Sequence, residues 1–453
     1  MVSLKKIYDK LFLNFLTVYR KVPLRAKYIF SFIIHAIIFL SLFFSRPVVG
    51  IYLFDYRLGE ILILLSLLFS LLILFTPTKY FFELKNNYLI YIYKLVIIYF
   101  ILTLFLRETS ILDPYTFRSS SYIWTVSFLF FGYYFLSKFN FDKLTSWALL
   151  AILPSIYIIS TGNYPNFIID FFISFSDKFV FIKGSDLTIA LISCTLLLNV
   201  LLKNEKLKII YFFGIISLFL PLLLFNSRAS FVAATIYLII SLPYFIPAIR
   251  KNYITFFVTV AISIPLFIFS GYRVYGNFSF EKDPEVSRIQ EITDTFGGIS
   301  DQKNTRDSLL FYFEDGRLYS GDPTTDWRLD IWQDVFEDLG NKNLVLKGYG
   351  YKEIIPVMKD PSAPGRLGRD GLNENVHNYF VNILARGGLP NVLFFIALHL
   401  LLIQTYVKKN SNYKILIYVF PLMLLANFDA TMEGVNFPLI FYSFYGYFIR
   451  KGL

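Results

Sequence analysis

The chain has 453 residues, of which 56% are hydrophobic, 20% aromatic and only 17% charged, with a formal net charge of +11. A soluble domain is nearer a quarter charged, so this composition excludes an ordinary soluble enzyme and marks an all-α polytopic membrane protein. The cationic excess belongs first to loops that set topology rather than to a nucleic-acid partner, and the single cysteine, Cys194, excludes an internal disulfide.

The first apolar run is long, follows a basic stretch and lacks a small-residue cleavage site, so it is not a secretory signal peptide. Apolar windows of span length lie near 28–44, 60–76, 88–106, 122–137, 146–162, 187–203, 208–226, 230–247, 253–271, 390–406, 413–427 and 437–449, which predicts about twelve transmembrane helices. With a cytoplasmic N-terminus, twenty-one Lys and Arg fall in the inner segments. Seven fall in the short outer loops: Arg46, Arg57, Arg107, Arg118, Lys178, Lys183 and Arg228. That bias predicts both termini inside and the single long loop, about 272–376, outside. The chain thus divides into an N-terminal bundle (1–271), an outer loop with an interfacial helix (272–389) and C-terminal spans (390–453). The loop lies between the ninth and tenth spans.

A loop of that length is functional more often than connective. Its best helix runs from Pro323 to Leu339, with Asp322 as N-cap, Pro323 at N1 and Gly340 as its end. The expected apolar stripe is Ile331, Trp332, Val335, Phe336 and Leu339, with Arg328 one turn before it. The Gly- and Pro-rich stretch Lys359–Asn375 reads as a mobile loop.

Three sites carry candidate chemistry. The hairpin Asn226-Ser227-Arg228-Ala229-Ser230 holds a guanidinium at the membrane surface. There it snorkels or binds a lipid phosphate, with Asn226 and Ser227 as hydrogen-bonding neighbours. Arg328, on an apolar helix face, needs an ion-pair partner such as Asp326 or Asp330, an aromatic ring, or an anionic ligand. In the stretch ENVHNYFVNILARGGLP (374–390), a short helix over 377–386 puts His377, Phe380, Val381 and Leu384 on one face. Asn378, Asn382 and Arg386 form a polar stripe, Gly387 and Gly388 end the helix, and Pro390 starts the next span. His377 is either a cap at the headgroup level or a general base, since imidazole takes a proton near neutral pH. His35 and His399 lie inside spans and are expected to bond backbone or neighbouring helices. Lys94 is an isolated intramembrane charge. Asp429 and Glu433, in the last outer loop, are solvated, orient the base or pair with an arginine. There is no Gly-rich nucleotide loop, HExxH, clustered His/Cys set or outer DxD pair, so neither metal nor cofactor is expected.

The order of these features resembles the bacterial O-antigen ligase and Wzy-type polymerase superfamily. The matching residues are Ser227-Arg228 after a mid-chain span and RLDIWQDVFEDLGNKNLVLKGYGY (328–351), with its R-x-x-x-W helix and Gly348-x-Gly350 turn. His377-Asn378 then stands nine residues before Gly388. Asn391 departs from the last place of the ligase signature, which favours a polymerase over a ligase. The resemblance implies a metal-independent glycosyltransferase of the bacterial inner membrane with a periplasmic loop. Its donor would be an undecaprenyl-pyrophosphate-linked glycan, and its acceptor a lipid A-core sugar or another lipid-linked glycan. Arg228 and Arg328 would bind pyrophosphate and His377 would act as base. Ser227, Asn226, Asn378, Asn382, Arg386 and Gly388 would line the substrate, and Asp429 or Glu433 would orient the base. A flippase for the same lipid is the rival from another class, although transporters usually carry internal repeats, and none is present here.

Overall fold

Helix occupies each of the twelve apolar intervals. In chain order the elements are α1 (Leu24–Phe44), α2 (Arg46–Gly50), hairpin β1 (Tyr52–Leu53) and β2 (Tyr56–Arg57), α3 (Leu58–Phe75), α4 (Tyr88–Leu106), α5 (Pro114–Ser119), α6 (Ser121–Trp124), α7 (Phe128–Tyr134), α8 (Lys143–Thr161), α9 (Asn166–Phe175), α10 (Gly184–Leu201), α11 (Glu205–Asn226), α12 (Arg228–Lys251) and α13 (Tyr253–Tyr275). Hairpin β3 (Phe311–Glu314) and β4 (Arg317–Ser320) follows, then α14 (Pro323–Asn341), α15 (Tyr379–Asn410), α16 (Leu416–Ala426) and α17 (Asn436–Lys451). The computed structural model describes residues 23–78, 81–82, 87–136, 143–161, 165–176, 182–251, 253–276, 311–363, 365–367 and 374–453. The basic N-terminal stretch, Lys178, and the parts of the long loop at 277–310 and 368–373 lie outside them.

Seven of the described helices are long and apolar enough to cross a membrane: α3, α4, α10, α11, α12, α13 and α15. Shorter apolar stretches lie in α1, α8, α9 and α16. Two helices are buried on all sides, α10 from Gly184 to Leu198 and α17 from Asn436 to Ile449. A helix that is apolar all round belongs in the middle of a bundle, and these two form its centre. α17 lies directly on α7 because Gly132 and Gly446 have no side chains. A Cβ at Gly132 would sit 1.6 Å from the Ser443 carbonyl oxygen, and one at Gly446 would sit 1.9 Å from that of Leu129. Small residues allow this approach where lipid supplies no hydrophobic force between helices.

The interval 122–137 differs from an uninterrupted span. It is α6 and α7 joined by a 3₁₀ turn at Thr125–Ser127. The hydroxyls of Tyr93 and Thr125 bond the carbonyls of Ile123 and Tyr122, so the break leaves those groups satisfied. The titratable groups singled out inside the spans are also partnered. His35 bonds the Ser31 and Leu136 carbonyls, His399 bonds that of Phe395, and Lys94 donates to the Thr76 carbonyl at 2.5 Å.

The two hairpins are an addition to an all-helical reading. β3 and β4 pair antiparallel across Asp315-Gly316, both with positive φ, the I′ turn that Asp-Gly favours. In α14 the Asp322 carboxylate caps the Thr325 amide as its sequence predicts. The buried row, however, is Trp327, Ile331, Val335 and Leu339, while Phe336 is exposed. The helix runs through Gly340, and the left-handed residue beyond it is Asn343. The row packs on Val357, Met358, Val376, Val381 and Ala385, a second small core under the outer loop. Its other face is held by Arg317 and Arg366, both paired with Asp330 and Asp334.

Candidate active site

α14 and the start of α15 hold His377 from two sides. The Trp327 ring stands edge-on to the imidazole, with centroids 5.2 Å apart at 65°. The Trp332 Nε1 donates to the Val376 carbonyl at 2.7 Å, fixing the backbone just before the histidine. Asn378 is the N-cap, its side-chain oxygen accepting from the Val381 amide at 3.0 Å. His377 therefore precedes the helix rather than sharing a face with Phe380 and Leu384. It adopts φ +55°, a left-handed conformation that costs a non-glycine residue about 1–3 kcal/mol and clusters at functional sites.

The polar stripe on this helix is buried rather than turned to headgroups. Arg386 donates to the Glu353 carbonyl and, at 2.7 Å, to the Tyr115 hydroxyl. Asn382 is buried beside it. The helix breaks at Gly388, where φ is +72° and a Cβ would stand 2.4 Å from the Leu346 carbonyl carbon. That close approach lets the Gly348-x-Gly350 turn bond the helix end, Tyr349 N to Ala385 O at 2.6 Å and Gly350 N to Arg386 O at 3.0 Å. Arg107, capping α4, donates to the carbonyls of Gly348 and Tyr349. Asn391 is buried one turn on and donates to Tyr122 at 2.9 Å and Tyr351 at 3.3 Å. The residue that departs from the ligase signature thus has its own packing role.

Charge collects around His377. Its Nδ1 lies 3.9 Å from Asp429 Oδ1, across from the last outer loop. The charges of Arg328, Lys183 and Arg46 all act on Asp429. Arg328 is largely buried, with no hydrogen bond or ion pair among the described residues. The partners considered for it are engaged elsewhere, Asp326 with the Ser320 amide and Asp330 with Arg317 and Arg366. Lys183 precedes α10, and Arg46 on α2 pairs with Asp186 at 3.4 Å, which Asn436 also bonds. Arg228 opens α12 and donates to Asp322 Oδ1 at 2.9 Å; its side chain is 56% exposed, at the rim. Ser227 ends α11 and its hydroxyl accepts from the Ser230 amide at 3.4 Å, while Asn226 bonds back to the Leu222 carbonyl.

These surroundings set protonation. Burial lowers the His377 pKa, and the cations Arg328 and Lys183 add to this against the opposing pull of Asp429, so the imidazole is neutral near pH 7. Burial alone would raise the Asp429 carboxyl. The neighbouring His377 imidazole and the charges of Lys183 and Arg46 outweigh it and hold the group below the usual carboxylate range. Lys183 is lowered first by Arg46 and then by burial. At Glu433 burial outweighs the nearby Arg386 charge and raises the group to about 8.

The structure thus brings His377, Arg328 and Asp429 together, with Arg228 at the edge. It adds Arg46, Lys183 and Asp186, which no local motif singles out. For Arg46 and Lys183 the signal was their place among the few cations of the loops predicted to be outer; Asp186 had none. Among the described residues no three His, Cys, Asp or Glu side chains converge as a metal site. No curated protein matches the chain. A family model described as O-antigen ligase matches residues 212–396, the stretch that carries Arg228, Arg328 and His377. A rim arginine, a largely buried arginine and a neutral histidine, in that order along that stretch, agree with the match, so over this stretch the chain is similar to the O-antigen ligase family.

Proposed function

We propose that this protein transfers a glycan from a polyprenyl pyrophosphate carrier to a sugar hydroxyl, without a metal ion. The observation that carries the reading is Arg328, a largely buried guanidinium with no hydrogen-bond partner among the described residues, facing the His377–Asp429 pair. Buried polar groups are almost always satisfied, so an orphaned cation is a place kept for an anion. After Arg46 is matched with Asp186 and Arg228 with Asp322, Lys183 and Arg328 face Asp429 alone, and the site keeps an excess of positive charge.

In this mechanism the acceptor oxygen attacks the anomeric carbon as the bond from that carbon to the phosphate oxygen breaks. The hydroxyl proton passes to His377, whose imidazole is neutral and oriented by Asp429 and Trp327. The electron pair leaves on pyrophosphate, where Arg328 and Lys183 stabilise it and Arg228 binds it at the rim. Fixed cations in a desolvated site do the work a divalent ion performs elsewhere. An apolar groove of about 460 Å³, lined by Leu40, Phe44, Val48 and Ile51 on one side and Phe167, Phe171 and Phe172 on the other, runs beside Arg46 and suits isoprene units. Asn226, Ser227, Asn378, Asn382, Arg386 and Gly388 shape the walls. The acceptor is a lipid A-core sugar for a ligase and a lipid-linked repeat for a polymerase.

Complementation tests this reading. The gene is expected to restore glycan ladders in a polymerase-null or a ligase-null strain, and the strain that is rescued names the acceptor. His377→Ala and Arg328→Ala should abolish rescue while the protein still expresses and inserts. Transfer by purified protein that stops with EDTA and returns with a divalent ion would refute the cation-based account.

A further inference from the structure

A second polar feature takes no chemical step in the mechanism above. It is a half-open cleft of about 50 Å³, whose walls include Tyr115, Arg118, Glu374, Asn382, Arg386 and Glu433. It is built from the segments that carry the His377–Asp429 pair. Glu374 lies three residues before His377, Asn382 and Arg386 lie on the helix after it, and Glu433 is one turn of chain beyond Asp429. The charges of Asp429, Glu374 and Arg386 all act on Glu433.

Two carboxylate oxygens here, Glu374 Oε2 and Glu433 Oε1, are buried without a hydrogen-bond partner. The Glu374 side chain is only 10% accessible, and its other oxygen takes a 2.6 Å ion pair from Arg118. Two guanidiniums offset the carboxyl groups, which disfavours a metal cation, and the unpartnered carboxyl oxygens disfavour a phosphate. What remains is a neutral ligand rich in hydroxyls. Each hydroxyl both donates and accepts, and the cleft offers carboxyl acceptors beside guanidinium and amide donors. The space admits the edge of one sugar ring rather than a whole monosaccharide. Burial keeps Glu433 protonated at neutral pH, so that it also donates. The Ser121 hydroxyl fixes the Glu433 backbone by donating to its carbonyl at 3.2 Å.

We propose that this cleft is the acceptor subsite, gripping neighbouring hydroxyls of a neutral acceptor sugar and leaving one hydroxyl facing His377. The proposal rests on the reading of His377 as general base. It adds what the base acts on and how that sugar is held.

The test uses the full chain in detergent and saturation-transfer NMR with a panel of methyl glycosides of common hexoses and N-acetylhexosamines. At least one glycoside is expected to receive saturation from the wild-type protein. Glu433→Leu, which removes both hydrogen-bonding atoms, should weaken that binding about tenfold, the worth of one good polar contact. Glu433→Gln, which keeps a donor and an acceptor, should retain it. Should Glu433→Leu fail to fold, Ser119→Tyr, at another residue lining the cleft, fills it and should abolish binding by itself. Binding by none of the glycosides, or equal binding by wild type and the cleft variants, would overturn the proposal. His377→Ala keeps glycoside binding if the cleft is the subsite. Normal transfer by that variant would sink the base assignment, while the glycoside result would still decide the cleft. In transfer assays the acceptor KM of Glu433→Leu should rise with the donor KM unchanged. A rise in donor KM alone would overturn the assignment to the acceptor.

Discussion

Two sets of cations lie near the α15 start, and they are treated in opposite ways. Arg107 and Arg386 donate within the fold: Arg107 to the Gly348 and Tyr349 carbonyls, Arg386 to the Glu353 carbonyl and the Tyr115 hydroxyl. Arg328 and Lys183 lie a few residues away in space from the same histidine. They face one shared carboxylate, and Arg328 makes no hydrogen bond among the described residues. The first set closes the Gly348–Gly350 turn onto the helix end. The second is desolvated without being neutralised, a state that costs stability unless an anion arrives. Position in the sequence does not separate the two sets; the hydrogen bonds that Arg107 and Arg386 make, and that Arg328 lacks among the described residues, do.

The largest expected effect falls on the unsatisfied side. His377→Ala should lower transfer by about 10²–10⁴-fold, the usual range for a general base, with unchanged thermal unfolding in detergent. Next, Arg328→Ala should cost about 10²–10³-fold in kcat, as for a lost transition-state donor. Arg107→Ala should instead destabilise the protein by about 2 kcal/mol through two stranded carbonyls, with kcat per folded molecule little changed. A loss of kcat without loss of stability in Arg107→Ala would erase the distinction between the sets.

Smaller effects appear in pH dependence. The His377 pKa is depressed, so activity should hold at neutral pH and fall as pH drops through that lowered value. Arg328 contributes to the depression and Asp429 opposes it. Arg328→Gln should therefore move the acid limb of kcat/KM to higher pH, and Asp429→Asn should move it lower; opposite shifts would break the assignment. Glu433 is raised to about 8 by burial, so the folded state holds a proton that the unfolded chain has lost above its ordinary carboxylate range. Stability from this group is full below that range and declines as pH rises through about 8. The Tm of Glu433→Gln should match wild type at pH 5 and exceed it at pH 9. The smallest effect concerns Arg228, whose pair with Asp322 is exposed: Arg228→Ala should cost at most about 1 kcal/mol of stability, its consequence showing in donor KM.

The helices were legible because their signals are local. Asp322 caps α14 through its own next turn, and Gly388 breaks α15 where the sequence places a Gly-Gly before Pro390. The face of α14 was read one position off: Phe336 is exposed and Trp327 buried, because the choice among adjacent apolar rows is made by Val357, Val376 and Ala385, which pack against it. The placement of His377 on the helix failed for a related reason. Asn378 is the stronger cap, and its bond to the Val381 amide leaves the histidine outside the first turn. The Asp315-Gly316 hairpin had a clear turn signal, which the helical character of the rest of the chain obscured.

By itself the sequence determined a chain of apolar helices, the outer loop with its capped helix, and the histidine before a glycine break. Hydropathy, capping and turn chemistry act over a few residues, and a single sequence states them outright. Only the tertiary structure decided which charges meet. Arg46, Lys183, Arg328 and Asp429 come from four separate segments of the chain, and nothing in their neighbours marks them as partners. Electrostatic interaction reaches through space rather than along the chain. The packing that sets those distances is fixed by the buried helices α10 and α17, whose first turns carry Asp186 and Asn436 beside the cluster.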